Sequence, residues 1–481
     1  MRRLLRSRVL IALVSVTAIL LAYTWVINYL TWRKTLRTAG FVDEMRAPAR
    51  GDRVLIVAPH PDDEILGCGG LIQQAVANGA EVHVVLMTNG DASELSVILE
   101  EREASWKPAN MIALGRRRQE ESLRALEGLG LEPGRIHFLG FPNNGLVALW
   151  RPEHWRHSDL YRSPYTEAVF SPYERAYTPH APYCGQQVLS DLLGIMHQVR
   201  PTHIYVTHPR DIHPDHWATS SFVGYALATA AVRGSDWAET AELWGYLIHW
   251  PRFPAPRRSR LSMEVLPPPE LSGEHAQWHL LPLTPEQAKR KLADIRSYRT
   301  QAPSFDRLLL AFARGNEVFE RLSPTEVGPR GLAEWHMNNA SRRKVAAVQV
   351  RELRLELGDD GGARALLVSA PRRMPERSYI CLDLRTWDQH YIPTITTLYL
   401  RARGEVEAAR MDGEPSPVAV AAEARTPGEL GITRLPLPED SLAQGSLYVT
   451  CWGSVNDRLI DSAVTSWVKL PAGLFDPVTA D

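Results

Sequence analysis

The residues of this sequence best suited to chemistry begin with one histidine and two adjacent carboxylates. His60 stands two residues before the pair Asp62 and Asp63, within the stretch Ala-Pro-His-Pro-Asp-Asp-Glu at 58–64. Adjacent aspartates are most often a helix N-cap and its first turn, where negative charge is favoured. They can also divide two tasks, because adjacent side chains diverge. One carboxylate can then bind a metal ion while the other accepts a proton.

A second cluster lies near the middle of the chain, in His213-Pro-Asp-His216. The two histidines are three residues apart on a predicted helix, so both imidazoles can point at one spot. Pro214 fits the first helical position, where a missing N–H is tolerated. Asp215 is equally compatible with simple electrostatics at the start of a helix.

Together the two clusters supply two histidines and a carboxylate, a set that binds Zn²⁺ and leaves positions for water and substrate. Other divalent ions accept the same set. A bound ion of this kind lowers the pKa of water from 15.7 to about 7 and polarises a carbonyl group. Because both clusters follow predicted strands, their convergence favours a hydrolytic metal site over two unrelated structural features.

The elements that position these clusters alternate between strand and helix, which predicts a mostly parallel, Rossmann-like α/β sheet with flanking helices. Ligands of such sheets bind beyond the carboxyl ends of the strands. The predicted strands are Arg53–Ala58, Val82–Met87, Arg135–Gly140, His203–Thr207 and Leu243–Ile248. The predicted helices are Ile65–Asn78, Arg116–Leu129, Gln187–Val199, Pro214–Ala231, Pro285–Tyr298 and Ser304–Arg321.

The remaining segments differ from this core in residue composition and hydrophobic pattern. Residues 142–186 form a long irregular stretch rich in Pro, Tyr, Trp and His, which we interpret as a lid or substrate rim, and residues 251–282 are a second proline-rich excursion. Short, partly alternating runs after residue 330 predict an all-β, sandwich-like domain. The predicted organisation is a basic tail at 1–8, a transmembrane anchor at 9–32, a linker at 33–52, an α/β domain at 53–325 and a β-rich domain at 335–475.

The anchor is predicted from an uninterrupted apolar stretch. Val9 to Trp32 contains 24 residues without a charge, enough to cross a hydrocarbon core about 30 Å thick. A cleaved signal peptide has a shorter apolar region that ends in small residues, whereas this stretch ends in Tyr-Leu-Thr-Trp. Basic residues flank both sides, so charge gives almost no orientation. We expect a single-pass membrane protein.

Composition excludes several other classes of function. The formal net charge of −1 gives no indication of nucleic-acid binding. No Gly-x-Gly-x-x-Gly follows the first strand, which excludes a dinucleotide-binding site. The four cysteines show no metal-binding spacing. Cys381 and Cys451 lie in the same region, and whether they are paired is left open by the sequence.

Residues 54–70 resemble the signature of the PIG-L/LmbE-like zinc-dependent N-acetylglucosamine deacetylase family, and residues 213–216 resemble its second motif. Residues 117–120 and 291–301 resemble two further family elements. The resemblance covers about residues 53–320 and leaves the stretch 142–186 and the C-terminal region outside the family core. The β-rich region loosely resembles carbohydrate-binding β-sandwiches of extracytoplasmic polysaccharide enzymes, which is the reason for expecting the catalytic domain outside the cytoplasm.

The resemblance implies a role for each residue of the two clusters. His60, Asp63 and His216 would bind zinc, and Asp62 would be the general base. His213 would polarise the amide carbonyl and stabilise the oxyanion, or protonate the leaving amine, with Asp215 orienting it. Weaker candidates for substrate contacts are Arg117, for which an exposed basic helix start is nearly as good an explanation, and Asn89 and Asp91, which turn chemistry alone would explain. Four aromatic residues of the C-terminal region, Trp387, Tyr391, Tyr399 and Trp452, could either stack on sugars or fill a core.

The predicted function is therefore hydrolysis of the N-acetyl group of N-acetylglucosamine in a glycoconjugate or polysaccharide, with zinc as cofactor and membrane lipid around the anchor. A related metal-dependent amidase acting on a non-sugar amide shares the same metal chemistry. A catalytically idle, membrane-anchored sugar-binding protein is a third hypothesis, but binding alone would not need the base Asp62.

Overall fold

The structure of the protein is a computed structural model. It describes residues 2–92, 107–257, 259–272, 276–301, 308–326, 334–336, 352–357, 363–371, 378–387, 393–401, 406–410, 430–436, 446–455 and 458–469.

The first half of the described chain is built on an eight-stranded, mostly parallel sheet. Its strands are β1 (Val42–Glu44), β2 (Arg53–Ala58), β3 (Glu81–Thr88), β4 (Ile136–Phe141), β5 (His203–Thr207), β6 (Glu242–Tyr246), β7 (Trp278–Pro282) and β8 (Asn316–Leu322). Their order across the sheet is β1-β7-β8-β6-β5-β2-β3-β4. Strand β8 runs antiparallel to both of its neighbours, and the other pairs are parallel. The predicted parallel α/β sheet is confirmed.

Helices cover this sheet on both faces. These helices are α2 (Asp63–Ala77), α3 (Pro108–Gly128), α4 (Leu146–Trp150), α5 (Gly185–Val199), α6 (Pro214–Val232), α7 (Asp236–Thr240) and α8 (Pro285–Ile295), whereas the N-terminal helix α1 (Arg2–Thr35) is largely exposed. The central strand β2 shows how the two faces are used: Leu55 and Val57 belong to one apolar cluster, Val54 and Ile56 to the other. Alternating side chains point to opposite faces of a strand, so a continuous apolar run forms a strand buried on both sides.

One predicted helix is wrong. Of the expected helix Ser304–Arg321, residues 304–307 lie outside the described chain, Leu310–Phe312 form a single 3-10 turn, and β8 begins at Asn316. Val318 and Phe319 belong to types favoured in strands, and β8 fills the gap between β6 and β7. Backbone pairing with two neighbouring strands therefore overrides a local pattern that suits either structure.

Two other segments contain more structure than expected. The linker 33–52 includes β1, and the proline-rich excursion 251–282 ends in β7. Both strands extend the sheet at one edge, where β1 pairs with β7. The helix expected over Arg116–Leu129 begins earlier, at Pro108, where proline occupies the first helical position.

The segment 142–186 is packed against the domain rather than held above it. Trp150, Trp155 and Tyr183 are almost completely buried and belong to a core cluster. Tyr177 donates its backbone N–H to the carbonyl of Phe138 on β4, which ties the segment to the sheet. Most of this segment is therefore part of the packed domain and does not form a freely moving lid.

The described C-terminal strands form two further sheets. The strands are β9 (Thr325–Glu326), β10 (Glu334–His336), β11 (Glu352–Leu357), β12 (Ala363–Pro371), β13 (Ser378–Trp387), β14 (Pro393–Arg401), β15 (Val406–Arg410), β16 (Leu430–Pro436), β17 (Ser446–Val455) and β18 (Arg458–Lys469). One sheet has the order β10-β11-β12-β16 and the other β15-β14-β13-β17-β18-β9. All of these pairs are antiparallel except β18 with β9. The expected β-rich C-terminal region is confirmed, whereas its sandwich packing stays a prediction.

The aromatic residues of this region fill a core. Trp387 and Trp452 are 0% and 1% exposed, and Tyr399 packs on the same cluster, while Tyr391 lies outside the described residues. Buried rings are unable to stack on a sugar. Cys381 and Cys451 lie on neighbouring strands and are not joined in a disulfide.

The N-terminal helix α1 has the length and composition of a membrane span. The most apolar 18 residues within Val14–Thr38 have a mean hydropathy of 1.5, and ring side chains such as Trp25 are largely exposed. Its far end packs on the domain, because Thr38 is buried and donates a hydrogen bond to the carbonyl of Pro267. Length and composition alone do not separate an anchor from a signal sequence near the N-terminus.

Candidate metal centre and active site

The folded chain brings the two sequence clusters together at the carboxyl ends of β2 and β5. His60 follows β2, and Asp63 is the first residue of α2. His213 is the N-cap of α6, and His216 lies in the first turn of that helix. His60, His213 and His216 each offer a ring nitrogen within 4.8 Å of the others. This is the edge of the sheet where ligands of parallel α/β proteins bind.

Donor atoms of His60, Asp63 and His216 form a triangle of the size that a metal ion requires. Asp63 Oδ2 lies 3.1 Å from His60 Nδ1 and 3.1 Å from His216 Nε2. The two ring nitrogens are 3.3 Å apart. Ligands of a tetrahedral ion with bonds of about 2.1 Å are separated by about 3.4 Å. The triangle therefore fits a Zn²⁺ ion above it and leaves the fourth position open.

The other ring nitrogen of each of these histidines faces an aspartate. His60 Nε2 lies 3.2 Å from Asp215 Oδ2, and His216 Nδ1 lies 3.1 Å from Asp211 Oδ2. Carboxylates in this position fix the tautomer of a metal-binding histidine and raise its basicity. The carboxylate of Asp215 thus contacts His60, whereas the sequence had led us to expect it to orient His213.

Both aspartates are held in turn by backbone N–H groups. Asp215 accepts hydrogen bonds from Asn144 N at 2.6 Å and from Leu146 N at 3.2 Å. Asp211 accepts from the backbone of Ile248, of His249 and of His213, at distances between 2.9 and 3.1 Å. The loop after β4 and the loop after β6 therefore support the two histidines from opposite sides.

The charges in the site are arranged around His216. Burial alone would lower the pKa of His216, but Asp63 and Asp211 outweigh it and raise its pKa to about 10. Burial would likewise raise the pKa of Asp63, but His216 and His60 lower it well below its usual value. These shifts favour a proton on the ring of His216, between the carboxylates of Asp63 and Asp211. A divalent ion would replace that proton, because metal ligands bind in their deprotonated forms.

Asp62 has the backbone position of a helix N-cap without the usual function of one. Its carbonyl accepts hydrogen bonds from Ile65 N and Leu66 N, but its side chain makes no cap hydrogen bond. Its φ of 120° is rare for a residue with a side chain. Such strain persists only where the surroundings enforce it, and it is common at active sites. The purely structural interpretation of the Asp62–Asp63 pair does not account for this geometry.

A buried glutamate holds Asp62 in this conformation. Glu64 Oε2 accepts the backbone N–H of Asp62 at 2.8 Å. Its other oxygen accepts the hydroxyl groups of Tyr298 at 2.6 Å and Ser122 at 2.9 Å. Helix α3, the segment after α8 and the first motif are thereby joined through one carboxylate. Tyr298 belongs to the late family element at 291–301, which gives that element a structural role.

The carboxylate of Asp62 is buried beside other charged groups. Burial, followed by the charges of Asp63 and Glu64, raises its pKa well above the usual value. A general base works best when its pKa lies near the operating pH. The charge of the buried Arg118 acts in the opposite direction and lowers the pKa of Asp62.

His213 is neutral and has a defined tautomer. Burial, together with the nearby His60 and His216, lowers its pKa well below the usual value. Its Nδ1 accepts the backbone N–H of Asp215 at 3.2 Å. The proton of the neutral ring therefore sits on Nε2, from which it can be donated to a substrate oxygen.

Sequence reasoning missed three members of the site. Asp211 contacts the ring of His216, and the charge of Arg118 acts on Asp62. His249 lies against His216, with ring centroids 4.6 Å apart. Asp211 and His249 follow the carboxyl ends of β5 and β6. Their positions after predicted strands were the signal that could have found them.

The predicted substrate contacts Asn89 and Asp91 are buried and bonded to the protein. Asn89 Oδ1 accepts from Gln119 Nε2 at 3.2 Å, and Asp91 accepts from Tyr173 Oη at 2.6 Å and from Asn143 N at 3.2 Å. Both tie neighbouring segments to the end of β3. Arg117 is half-buried on α3, and its role stays a prediction.

Asp91 makes the stability of the fold depend on pH. Burial raises its pKa from 3.8 to about 6 despite the hydrogen bonds from Tyr173 and Asn143. The folded protein therefore binds this proton more tightly than the unfolded chain, and the resulting stabilisation is lost as the pH rises from about 4 through 6. We expect the change Asp91→Asn to shift the free energy of unfolding towards greater stability at pH 7.5 relative to pH 4, by about 2 kcal/mol.

Denaturant unfolding of the metal-free protein at the two pH values measures this difference. The exposed Asp159→Asn is the matched control and should show no such pH dependence. An Asp91→Asn effect that is equal at both pH values contradicts the assignment.

Comparison with known proteins agrees with the motifs. Residues 55–227 match the model of the PIG-L family, described as GlcNAc-PI de-N-acetylase. This part of the chain matches that family model, which confirms the resemblance. It is similar to 1D-myo-inositol 2-acetamido-2-deoxy-alpha-D-glucopyranoside deacetylases. The protein from Mycobacterium sp. (strain KMS) is 31% identical over 40% of this chain and 54% of its own length, and that from Mycolicibacterium smegmatis is 32% identical over 40% and 58%. The chain thus spans little more than half the length of these curated relatives.

Two solved structures illustrate more distant similarity. N,N'-diacetylchitobiose deacetylase from Pyrococcus horikoshii is 18% identical, with a TM-score of 0.35 over 56% of this chain and 84% of its own. The zinc-inhibited form of teicoplanin deacetylase Orf2 is 17% identical, with a TM-score of 0.36 over 56% and 97%. Similarity of this degree supports no statement about function.

Proposed function

We propose that the protein is a metal-dependent hydrolase that removes the N-acetyl group from an N-acetylglucosamine unit of a glycoconjugate or polysaccharide. The observation that carries this proposal is the donor triangle of His60, Asp63 and His216, with Asp62 beside it. The match to the PIG-L family model and the deacetylase relatives support the choice of an N-acetylated sugar. The working metal is proposed to be Zn²⁺, because two imidazoles and one carboxylate with an open position are a common catalytic set for this ion.

When bound, the ion would supply a water molecule of lowered pKa and would polarise the amide carbonyl. Asp62 removes a proton from the attacking water as the new C–O bond forms. His213 donates the Nε2–H hydrogen bond to the carbonyl oxygen, where negative charge develops. The C–N bond then breaks, the proton passes to the nitrogen, and acetate and a free amine leave. Asp211 and Asp215 keep His216 and His60 in place throughout.

We further propose that α1 anchors the protein in a membrane, with the catalytic domain outside the cytoplasm. The exposed apolar residues within Val14–Thr38 support the anchor. The extracytoplasmic orientation is inferred from the loose resemblance of the C-terminal region to carbohydrate-binding domains. The buried rings of Trp387 and Trp452 give that resemblance no support. Fractionation of cells that express the full chain, followed by protease treatment of intact cells, tests both proposals. Recovery of the protein in the soluble fraction contradicts the anchor.

The deacetylase proposal is tested by acetate release from N-acetylglucosamine conjugates of increasing size, with non-sugar N-acetyl amides in parallel. We expect release from the sugar conjugates, loss after chelation of the metal and recovery on adding Zn²⁺. Equal or faster release from the non-sugar amides would identify an amidase of another specificity. Binding of sugars without any release of acetate would support the hypothesis of a catalytically idle sugar-binding protein.

A further inference from the structure

The six-stranded C-terminal sheet packs directly on the helices behind the active site. The ring of Trp452 on β17 lies 4.9 Å from that of Trp217 on α6, and Trp387 on β13 lies 5.4 Å from Tyr225 on the same helix. Trp387 Nε1 also donates to Thr229 Oγ1 at 3.3 Å. Helix α6 begins with the His213–His216 motif, so the C-terminal sheet and the catalytic cluster share one helix.

A buried arginine of this sheet contacts the short helix α4. Arg385 on β13 is completely buried, and its guanidinium carbon lies 3.4 Å from the ring centre of Trp150 and 4.2 Å from that of Trp155. Its Nη2 donates to the carbonyl oxygen of Trp150 at 2.6 Å. Its Nε donates to Asp383 Oδ2 at 2.8 Å, which balances the charge. Trp150 is the last residue of α4, so the guanidinium group caps the carboxyl end of that helix.

The other end of α4 faces the metal site. The backbone N–H of Leu146, its first residue, donates to Asp215, as does that of Asn144 just before it. Asp215 in turn contacts His60 Nε2. A continuous path therefore runs from Arg385 through α4 to Asp215 and on to His60.

We propose that Arg385 is a positioning residue for the metal ligand His60, supplied by the C-terminal sheet. The inference rests on the proposed metal site. Arginine suits this task because its planar group donates in several directions at once while stacking on aromatic rings. With the guanidinium group in place, α4 is held at its carboxyl end, and the two N–H groups at its start keep Asp215 against His60. The C-terminal sheet is then part of the catalytic unit rather than a separate sugar-binding module.

The test measures the affinity of the full chain for Zn²⁺ by competition with a chelator. The change Arg385→Met alone would leave Asp383 as an unpaired buried charge. The pair Arg385→Met with Asp383→Asn avoids this, and Arg385→Lys keeps the charge while losing the forked geometry. We expect both variants to bind Zn²⁺ about tenfold more weakly, at the low end of the range for groups outside the first coordination shell. Turnover should recover when Zn²⁺ is in excess.

The matched control is Trp387→Phe, which removes a hydrogen bond across the same interface without touching α4. It should lower the melting temperature but leave Zn²⁺ affinity within twofold of the wild type. In an Asp215→Asn background the Arg385 changes should have little further effect, because the path runs through Asp215.

Three outcomes overturn the positioning role. They are unchanged Zn²⁺ affinity in both Arg385 variants, an equal loss in Trp387→Phe, or a full Arg385 effect in the Asp215→Asn background. Failure of the wild-type chain to bind Zn²⁺ is a different result, since it overturns the proposed metal site itself.

Discussion

Replacing Asp62 by asparagine is expected to lower kcat by about 10²–10⁴-fold, the usual contribution of a general base, while one metal ion per chain is retained. Asparagine is the appropriate replacement because it has nearly the same shape and tolerates a positive φ better than alanine does. The Asp62 side chain makes no cap hydrogen bond, so helix α2 should lose little stability. Acetate release at saturating substrate and metal analysis of the same sample measure the two quantities.

The pH dependence of the wild type provides a second readout for the same residue. Activity needs the deprotonated carboxylate, so kcat/KM should fall as the pH drops below the pKa of the base. In Asp62→Asn this acidic limb should disappear from whatever activity remains. A variant with kcat within threefold of the wild type, or with an unchanged acidic limb, would remove Asp62 from the mechanism.

Loss of the metal is the expected result of Asp63→Asn and of His60→Ala. Each change removes one corner of the donor triangle, and two protein ligands hold an exchangeable ion far less tightly than three. Asp211→Asn should have a smaller effect, a 10–100-fold weaker affinity, because it removes only the partner of a ligand. Metal content after dialysis and chelator competition measure these changes.

Two further variants separate this donor set from its rivals. Asp63, His216 and His249 also lie close enough to hold an ion, and so do His60, His213 and His216. If the proposed set is right, His249→Gln and His213→Ala retain the metal, and His213→Ala still loses turnover. Retention of the metal in His60→Ala together with its loss in His249→Gln would identify Asp63, His216 and His249 as the metal ligands instead.

The central sheet and the catalytic clusters could be predicted because both depend on short stretches of sequence. Strand β2 is a continuous apolar run, and His60 and Asp63 follow it within five residues. The second motif is equally local, since His213 and His216 share one helical turn. Such signals need no knowledge of distant partners, and the structure brings both motifs to the same edge of the sheet.

What escaped prediction depends on contacts between distant parts of the chain. Asp211 is one aspartate among many until the fold places it against His216. The carboxylate of Asp215 was expected to orient His213, but only the position of α4 shows that it contacts His60. Strand β8 was mistaken for a helix because its partners β6 and β7 lie far away in sequence. Arg385 gave no signal at all, because its significance comes from Trp150, 235 residues earlier.

Backbone groups in the middle of α2 form hydrogen bonds with side chains from much later in the chain. Glu317 accepts the backbone N–H groups of Gly70 and Leu71 across 247 and 246 residues, and Lys291 donates to the carbonyl of Leu66 while pairing with Glu317.

The helix that begins with Asp63 thus acquires its last hydrogen bonds only after residue 317 has left the ribosome. Domains are synthesised from the N-terminus and fold as units, and contacts this distant in sequence form slowly. A nascent chain shorter than this would carry the first motif without these hydrogen bonds in the middle of the helix behind it.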